Sequence, residues 1–312
     1  MKELLFFSIV SFIFSWFFLN YWIKLQKNKQ IGKYIRKEGP SSHFSKSGTP
    51  IMGGLIFIII SLPFLFIKET FFISLSTILF GLLGLIDDLK LLRNKDYGIR
   101  PLKKIFLSFA LTLILLFAYG LFFTTDYKIS WGSYTLFNSR IIYFILFFCL
   151  FIAVPNAVNL TDGLDGLAGG TTLITFLTFL IYKFSYTSLQ ISIYIGVIIA
   201  SILAFLWYNM HPAEIFMGDV GAFSLGGAIS ALAVTKKVEL LMIFLGGIFL
   251  IESLSVFIQV FFYKWKRKRI FLMSPLHHHF ELKGWKETKI VARFNIIHII
   301  MIVGGIILWM LI

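Results

Sequence analysis

The chain has 312 residues, of which 58% are hydrophobic and 14% charged, and its mean hydropathy is +0.87; this apolar content exceeds what a soluble domain of that length buries. Its single cysteine, Cys149, excludes an intrachain disulfide framework and a cysteine-rich metal site. A net charge of +14, from 29 Lys and Arg against 15 Asp and Glu, implies a basic surface facing lipid headgroups or phosphate.

A hydrocarbon core of roughly 30 Å takes about 20 helical residues to cross. With that length as a ruler, ten spans are expected, near 4–23, 51–67, 71–86, 105–123, 140–158, 171–184, 190–208, 220–235, 238–263 and 294–312. The first is too long for a signal-peptide core and is read as a retained helix. The runs are continuously apolar rather than alternating, which excludes a barrel and leaves helices as the spanning structure. The expected fold is therefore all-α, one polytopic membrane domain over 1–312 in the lipid bilayer.

Ten spans place both termini on one side. The alternating polar segments 24–50, 87–104, 159–170, 209–219 and 264–293 hold 22 of the 29 Lys and Arg residues. By the positive-inside rule that face is cytoplasmic and the termini are outside. Most of this charge, notably Lys264 to Arg269, is assigned to topology and anionic headgroups, and no nucleic acid partner is expected.

The chemistry-bearing residues all lie in those five segments, so the helices are expected to bundle around a shared cytoplasmic cavity. The first island is Lys46-Ser-Gly-Thr-Pro50. Asp87 and Asp88 follow at the end of an apolar run, where two carboxylates side by side call for a cation or a proton; a helix end neutralised by Lys90 and Arg93 is the plainer alternative. Lys95 is a candidate phosphate contact. Asn159 to Gly166 presents Asp162 and Asp165 one turn apart, with glycines that admit a ligand, or else caps a helix. Asn209 opens the fourth island, and in Phe216-Met-Gly-Asp219 the acid suits a magnesium ligand or a helix cap. His277, His278 and His279 suit phosphate contact or proton handling. His43, His211 and His298 have no special spacing and are read as structural. Glu252 lies inside the ninth span and is given an interior hydrogen-bonding role at a break in that span. Together these parts suit displacement at a diphosphate, with the metal neutralising charge on the leaving group. No GxxxxGK[ST] or GxGxxG motif supports a nucleotide hydrolase or a dinucleotide enzyme.

Asp87-Asp88, Asn159-Leu-Thr-Asp-Gly-Leu-Asp-Gly-Leu-Ala168, Phe216-Met-Gly-Asp219 and Pro275-Leu-His-His-His-Phe-Glu-Leu-Lys-Gly-Trp285 together resemble the polyprenyl-phosphate N-acetylhexosamine-1-phosphate transferases. Lys46-Ser-Gly-Thr-Pro-Ile-Met-Gly-Gly54 and the histidine loop are similar to the branch that uses a muramoyl-peptide donor. The resemblance runs from about residue 30 to the C-terminus. It implies a ten-helix fold, a homodimer in a bacterial inner membrane, and Mg2+ as cofactor. It also implies transfer of phospho-MurNAc-pentapeptide from UDP-MurNAc-pentapeptide to undecaprenyl phosphate, giving lipid I and UMP. By resemblance, Asp219 is the magnesium ligand, Asp87 and Asp88 are the catalytic pair, and His277 heads the catalytic histidine motif. Lys46, Asn159, Asp162, Asp165 and Phe216 line the nucleoside and phosphate pocket, with Phe216 stacking on uracil. Lys95, Asn209, His278 and His279 complete the expected substrate contacts. Ile51 and Leu91 depart from the family's usual Thr and Lys. Direct attack and a phospho-aspartate route fit these residues equally. A GlcNAc-specific sister enzyme is the near rival, and a transporter the non-enzyme one.

Overall fold

The computed structural model describes residues 1–30, 32, 46, 48–94, 98–122, 127–182 and 188–311. Twelve α-helices run in chain order among them: α1 (Lys2–Asn28), α2 (Leu55–Ser61, continued by a 3-10 turn over Leu62–Phe66), α3 (Lys68–Asn94), α4 (Pro101–Phe122), α5 (Arg140–Thr161), α6 (Leu167–Ile181), α7 (Leu189–Asn209), α8 (Gly218–Thr235), α9 (Met242–Leu245), α10 (Gly247–Lys266), α11 (Leu276–Leu282) and α12 (Glu287–Leu311). Eight of these, α1, α3, α4, α5, α7, α8, α10 and α12, are long and apolar enough to cross a bilayer. α2 with its 3-10 turn, and α6, are shorter apolar helices. The chain is thus an all-α polytopic membrane protein.

α8 is the axis of the bundle. Every residue from Val220 to Thr235 is buried, and α3 and α5 pack along it. Between helices in lipid there is no hydrophobic driving force, so close approach depends on small residues. Here a Cβ on Gly54 would collide with the Gly221 Cα, and one on Gly84 with the Asp219 carbonyl. The peripheral helices α1, α4 and α12 instead present Phe6, Phe17, Phe106, Phe117 and Ile300 outward. In hydrocarbon such exposure carries no penalty, which is why these helices lack an amphipathic stripe.

Several boundaries differ from the sequence expectation: α3 runs on to Asn94, so that Asp87 and Asp88 lie within the helix, and α12 begins at Glu287 rather than near 294. The second span begins at Leu55 rather than at 51, because the Ile51 backbone is held extended: its N–H donates to Gln26 Oε1 at 2.9 Å, and its carbonyl accepts from Gln26 Nε2 at 2.7 Å and Trp22 Nε1 at 3.2 Å. The Ile51 side chain lies in an apolar cluster with Ile58, Ile78 and Val220. The span expected over 238–263 is broken at Gly246 into α9 and α10. The break leaves Ile248 N–H free to donate to His298 Nδ1 at 3.4 Å, while His298 Nε2 meets Thr175 Oγ1 at 3.0 Å; His298 is structural, as expected. Finally, a β-hairpin, Lys128–Trp131 with Tyr134–Asn138, lies between α4 and α5. Trp131 anchors it by donating to Leu308 O at 3.2 Å.

Candidate active site

Asp87 lies in the last third of α3, and Asp219 in the first turn of α8. Lys104, in the first turn of α4, reaches both: its Nζ is 2.5 Å from Asp87 Oδ2 and 2.6 Å from Asp219 Oδ2. Asp87 Oδ1 also accepts the Ile99 N–H, and Gly98 is the only residue type that fits against that carboxylate, since a Cβ there would strike Oδ1. Asp88, one position on, points a different way along the helix. Its two oxygens accept Asp219 N–H at 3.1 Å and Val220 N–H at 3.0 Å, capping the start of α8. The pair expected from sequence is therefore divided: Asp87 shares a cation with Asp219, and Asp88 holds the helix that carries Asp219. The turn that carries Asp162 and Asp165 follows directly on α5.

A second polar cluster adjoins that turn. Lys46 Nζ lies 2.7 Å from Asp165 Oδ1 and 2.7 Å from Glu287 Oε1. Glu287, opening α12, also accepts the Asp165 N–H at 2.6 Å. His211 Nδ1 is 3.0 Å from Asp165 Oδ2 and 3.4 Å from Glu287 Oε2, and Ala213 N–H donates to Asp165 at 3.1 Å. Burial works against the charge on Asp165, yet the Lys46 ammonium, the Ala213 amide and His211 outweigh it and hold the carboxyl below its usual range. Burial likewise opposes the Lys46 charge, and Asp165 and Glu287 outweigh it, holding the ammonium above its ordinary value. Asp165, His211 and Glu287 lie close enough together to ligate a metal, and the Lys46 ammonium stands between the two carboxylates and offsets part of their charge.

The histidines do not form one contact surface. His277 is 1% exposed, its Nδ1 3.2 Å from Glu252 Oε1 and its ring laid against Gly163. His278 Nδ1 pairs with Glu281 Oε2 at 2.6 Å. His279 Nδ1 accepts the Leu272 N–H at 3.0 Å and so belongs to the loop before α11. Asn209 is also committed to backbone: its Oδ1 accepts the Gly166 N–H at 3.0 Å and its Nδ2 donates to Ile215 O at 2.8 Å, which joins the 166 turn to the loop before α8. Phe216 is half-buried against the cluster of Ile51, Met52, Ile58, Ile78 and Val220, its backbone exchanging hydrogen bonds with Pro50 and Gly53. Asn159 and Asp162 are half-buried at the end of α5. Lys95 and Ser47 lie outside the described residues.

Comparison with known proteins shows the family of the chain. A profile of the glycosyl transferase family 4 matches residues 70–237. A phospho-N-acetylmuramoyl-pentapeptide-transferase of Dictyoglomus turgidum is 69% identical over 309 residues, covering 99% of both chains. Proteins of the same name from Dictyoglomus thermophilum, 68% identical over 99% of both chains, and Clostridium acetobutylicum, 39% identical over 94% of this chain and 95% of its own, match almost as completely. The chain belongs to the phospho-N-acetylmuramoyl-pentapeptide-transferases of glycosyl transferase family 4.

For a member of this family, the matched region 70–237 contains Asp87, Asp88, Lys104, Asp162, Asp165 and Asp219, whereas Lys46, His277 and Glu287 lie beyond it. Lys104 and Glu287 were missed by sequence reasoning, and His211, read there as structural, instead contacts the Lys46 cluster. Lys104 left one faint signal: it is the last cation before the apolar run 105–123. Glu252 has the interior hydrogen-bonding role expected of it, though the break in its span is at Gly246. The donor set at Asp87 and Asp219 fits Mg2+: two hard carboxylate oxygens already share a cation, and magnesium is commonly held by one or two carboxylates with substrate phosphates and water completing the shell.

Proposed function

We infer that this protein transfers phospho-MurNAc-pentapeptide from UDP-MurNAc-pentapeptide to undecaprenyl phosphate, forming lipid I and releasing UMP, on the cytoplasmic face of a bacterial inner membrane. The observation that carries this reading is the Lys104 ammonium held between Asp87 and Asp219 at 2.5 and 2.6 Å. It marks a point at a helix end where anionic groups and a cation meet, as a diphosphate substrate requires. A phosphate oxygen of the lipid forms a bond to the β-phosphorus of the donor. The bond from that phosphorus to the bridging oxygen breaks, and UMP leaves with the bridging oxygen.

Asp87, with one oxygen on the Ile99 amide, takes the proton of a monoprotonated acceptor phosphate. Lys104 moves from its two carboxylates toward the transferring phosphoryl group as substrate arrives, and its charge meets the charge that develops there. Asp219 would hold Mg2+, which when bound would supply charge neutralisation for the diphosphate. Asp88 acts through the α8 backbone, keeping Asp219 aimed at the site. Phe216 stacks on the uracil, and Lys46, Asp165 and Asn159 face the donor's nucleoside side.

The test is UMP release by purified protein in detergent with undecaprenyl phosphate and Mg2+, comparing UDP-MurNAc-pentapeptide with UDP-GlcNAc. Turnover with the first donor alone supports the reading. Turnover with UDP-GlcNAc alone assigns the sister reaction, and no UMP from either donor overturns the enzyme reading. Turnover that persists in EDTA overturns the magnesium assignment.

A further inference from the structure

Glu252 is the ionisable side chain set deepest in α10, and its surroundings are specific. It is 0% exposed. Its Oε2 accepts the Leu276 N–H at 2.6 Å and its Oε1 the His277 N–H at 3.2 Å, so the carboxylate caps the first turn of α11 from a separate helix. The same Oε1 is 3.2 Å from His277 Nδ1. A carboxylate buried in this way is costly unless donors surround it, and here every donor comes from the histidine segment.

The opposite edge of the His277 ring faces the 162–166 turn. A Cβ on Gly163 would strike Nε2, so the ring sits directly against the backbone between Asp162 and Leu164. Neither ring nitrogen forms a hydrogen bond, and both are shut off from solvent. Leu164 in turn packs in a small core with Ile248, Ile290, Val291 and Phe294 from α10 and α12. With 1% of its surface exposed, His277 has no open face toward a soluble nucleotide. What it touches is the turn that presents Asp162 and Asp165.

We propose that Glu252 is a positioning residue: it fixes His277 against Gly163, and this pair sets the Asp162–Asp165 turn in the geometry that binds the nucleotide donor. The proposal rests on the reading of that turn as part of the donor site. Glu252 touches no substrate itself. Its effect therefore belongs in donor binding rather than in the chemical step.

The test is a double-mutant cycle of E252Q, H277Q and the double variant, with donor KM and kcat read from UMP release. Each single variant is expected to raise donor KM about tenfold with kcat changed less than about threefold, and the double variant to be no worse than the more impaired single one. E252D, which keeps the carboxylate, is expected to recover most of the affinity. A loss of folded enzyme alone lowers apparent kcat and leaves KM unchanged, and that result overturns the proposal. So does a double variant whose KM is the product of the two single effects. If E252Q does not fold, H277Q is read alone, and an H277Q donor KM equal to that of the wild type overturns the proposal. A wild-type protein that releases no UMP sinks the function and not this inference, because the cycle is then read as Kd for UMP.

Discussion

Lys104 and Asp219 are 2.6 Å apart although 115 positions separate them in the chain, and the same ammonium is 2.5 Å from Asp87. One cation thus closes a triangle between the ends of α3, α4 and α8. Removing it leaves two half-buried carboxylates facing each other without neutralisation. K104A is expected to lower turnover at least about a hundredfold, while K104R, which keeps the charge on a different geometry, retains a measurable fraction. UMP-release rates at saturating donor measure this, and wild-type turnover by K104A would remove Lys104 from the site.

Asp88 and Asp219 predict different failures. In D88N an amide NH2 replaces one acceptor of the Val220 or Asp219 N–H, so the cap of α8 is half lost at a cost of about 1–2 kcal/mol. Its melting temperature in detergent is expected to fall together with activity. D219N keeps the cap, since only the Asp219 backbone is involved, and is expected to melt like the wild type with turnover abolished. Equal melting temperatures for wild type and D88N would refute the capping role.

Gly84 is the closest packing point between α3 and the start of α8. G84A forces the Asp219 carbonyl away and moves the first turn of α8, which carries Asp219. A loss of about 1–3 kcal/mol is expected, with activity reduced more than stability because the displaced group belongs to the site. The comparison of melting temperature and kcat for G84A against G120A, at a glycine whose Cβ would meet nothing, tests this directly.

The Lys46–Asp165 contact sets a pH dependence. Asp165 titrates below its ordinary 3.8, so the unfolded chain binds more protons at acid pH, and the stabilisation is present above that value and disappears as pH falls through the folded one. Lys46 titrates above 10.5, so its contribution is present below that pH and is lost as pH rises through the folded value. The stability difference between wild type and D165N is therefore expected to be constant from about pH 5 to about pH 10 and to shrink on the acid side. Thermal melts of both proteins across that range measure it.

Much of this was legible before any coordinates. Long apolar runs report helices because lipid offers the backbone no other partner, and Asp87, Asp162, Asp165 and Asp219 stood out because charge at a span boundary is expensive. Lys104 did not stand out, since nothing in a basic segment distinguishes the cation aimed inward from those facing water or headgroups. Glu287 was one acid among the charges of the polar segment 264–293. His277, His278 and His279, identical as a run, are placed in three environments, because successive helix positions point about 100° apart.

The sequence alone determined the membrane class, the all-helical build and the segments where charged residues gather, all of which follow from local hydropathy and from the cost of charge in hydrocarbon. The tertiary structure alone decided which charges meet. That Asp87 shares Lys104 with Asp219 while its neighbour Asp88 caps α8, and that Lys46 is spent on Asp165 and Glu287, depends on how closely α3, α4, α8 and α12 approach. That approach is set by small residues such as Gly54, Gly84 and Gly221, whose effect exists only where a second backbone arrives.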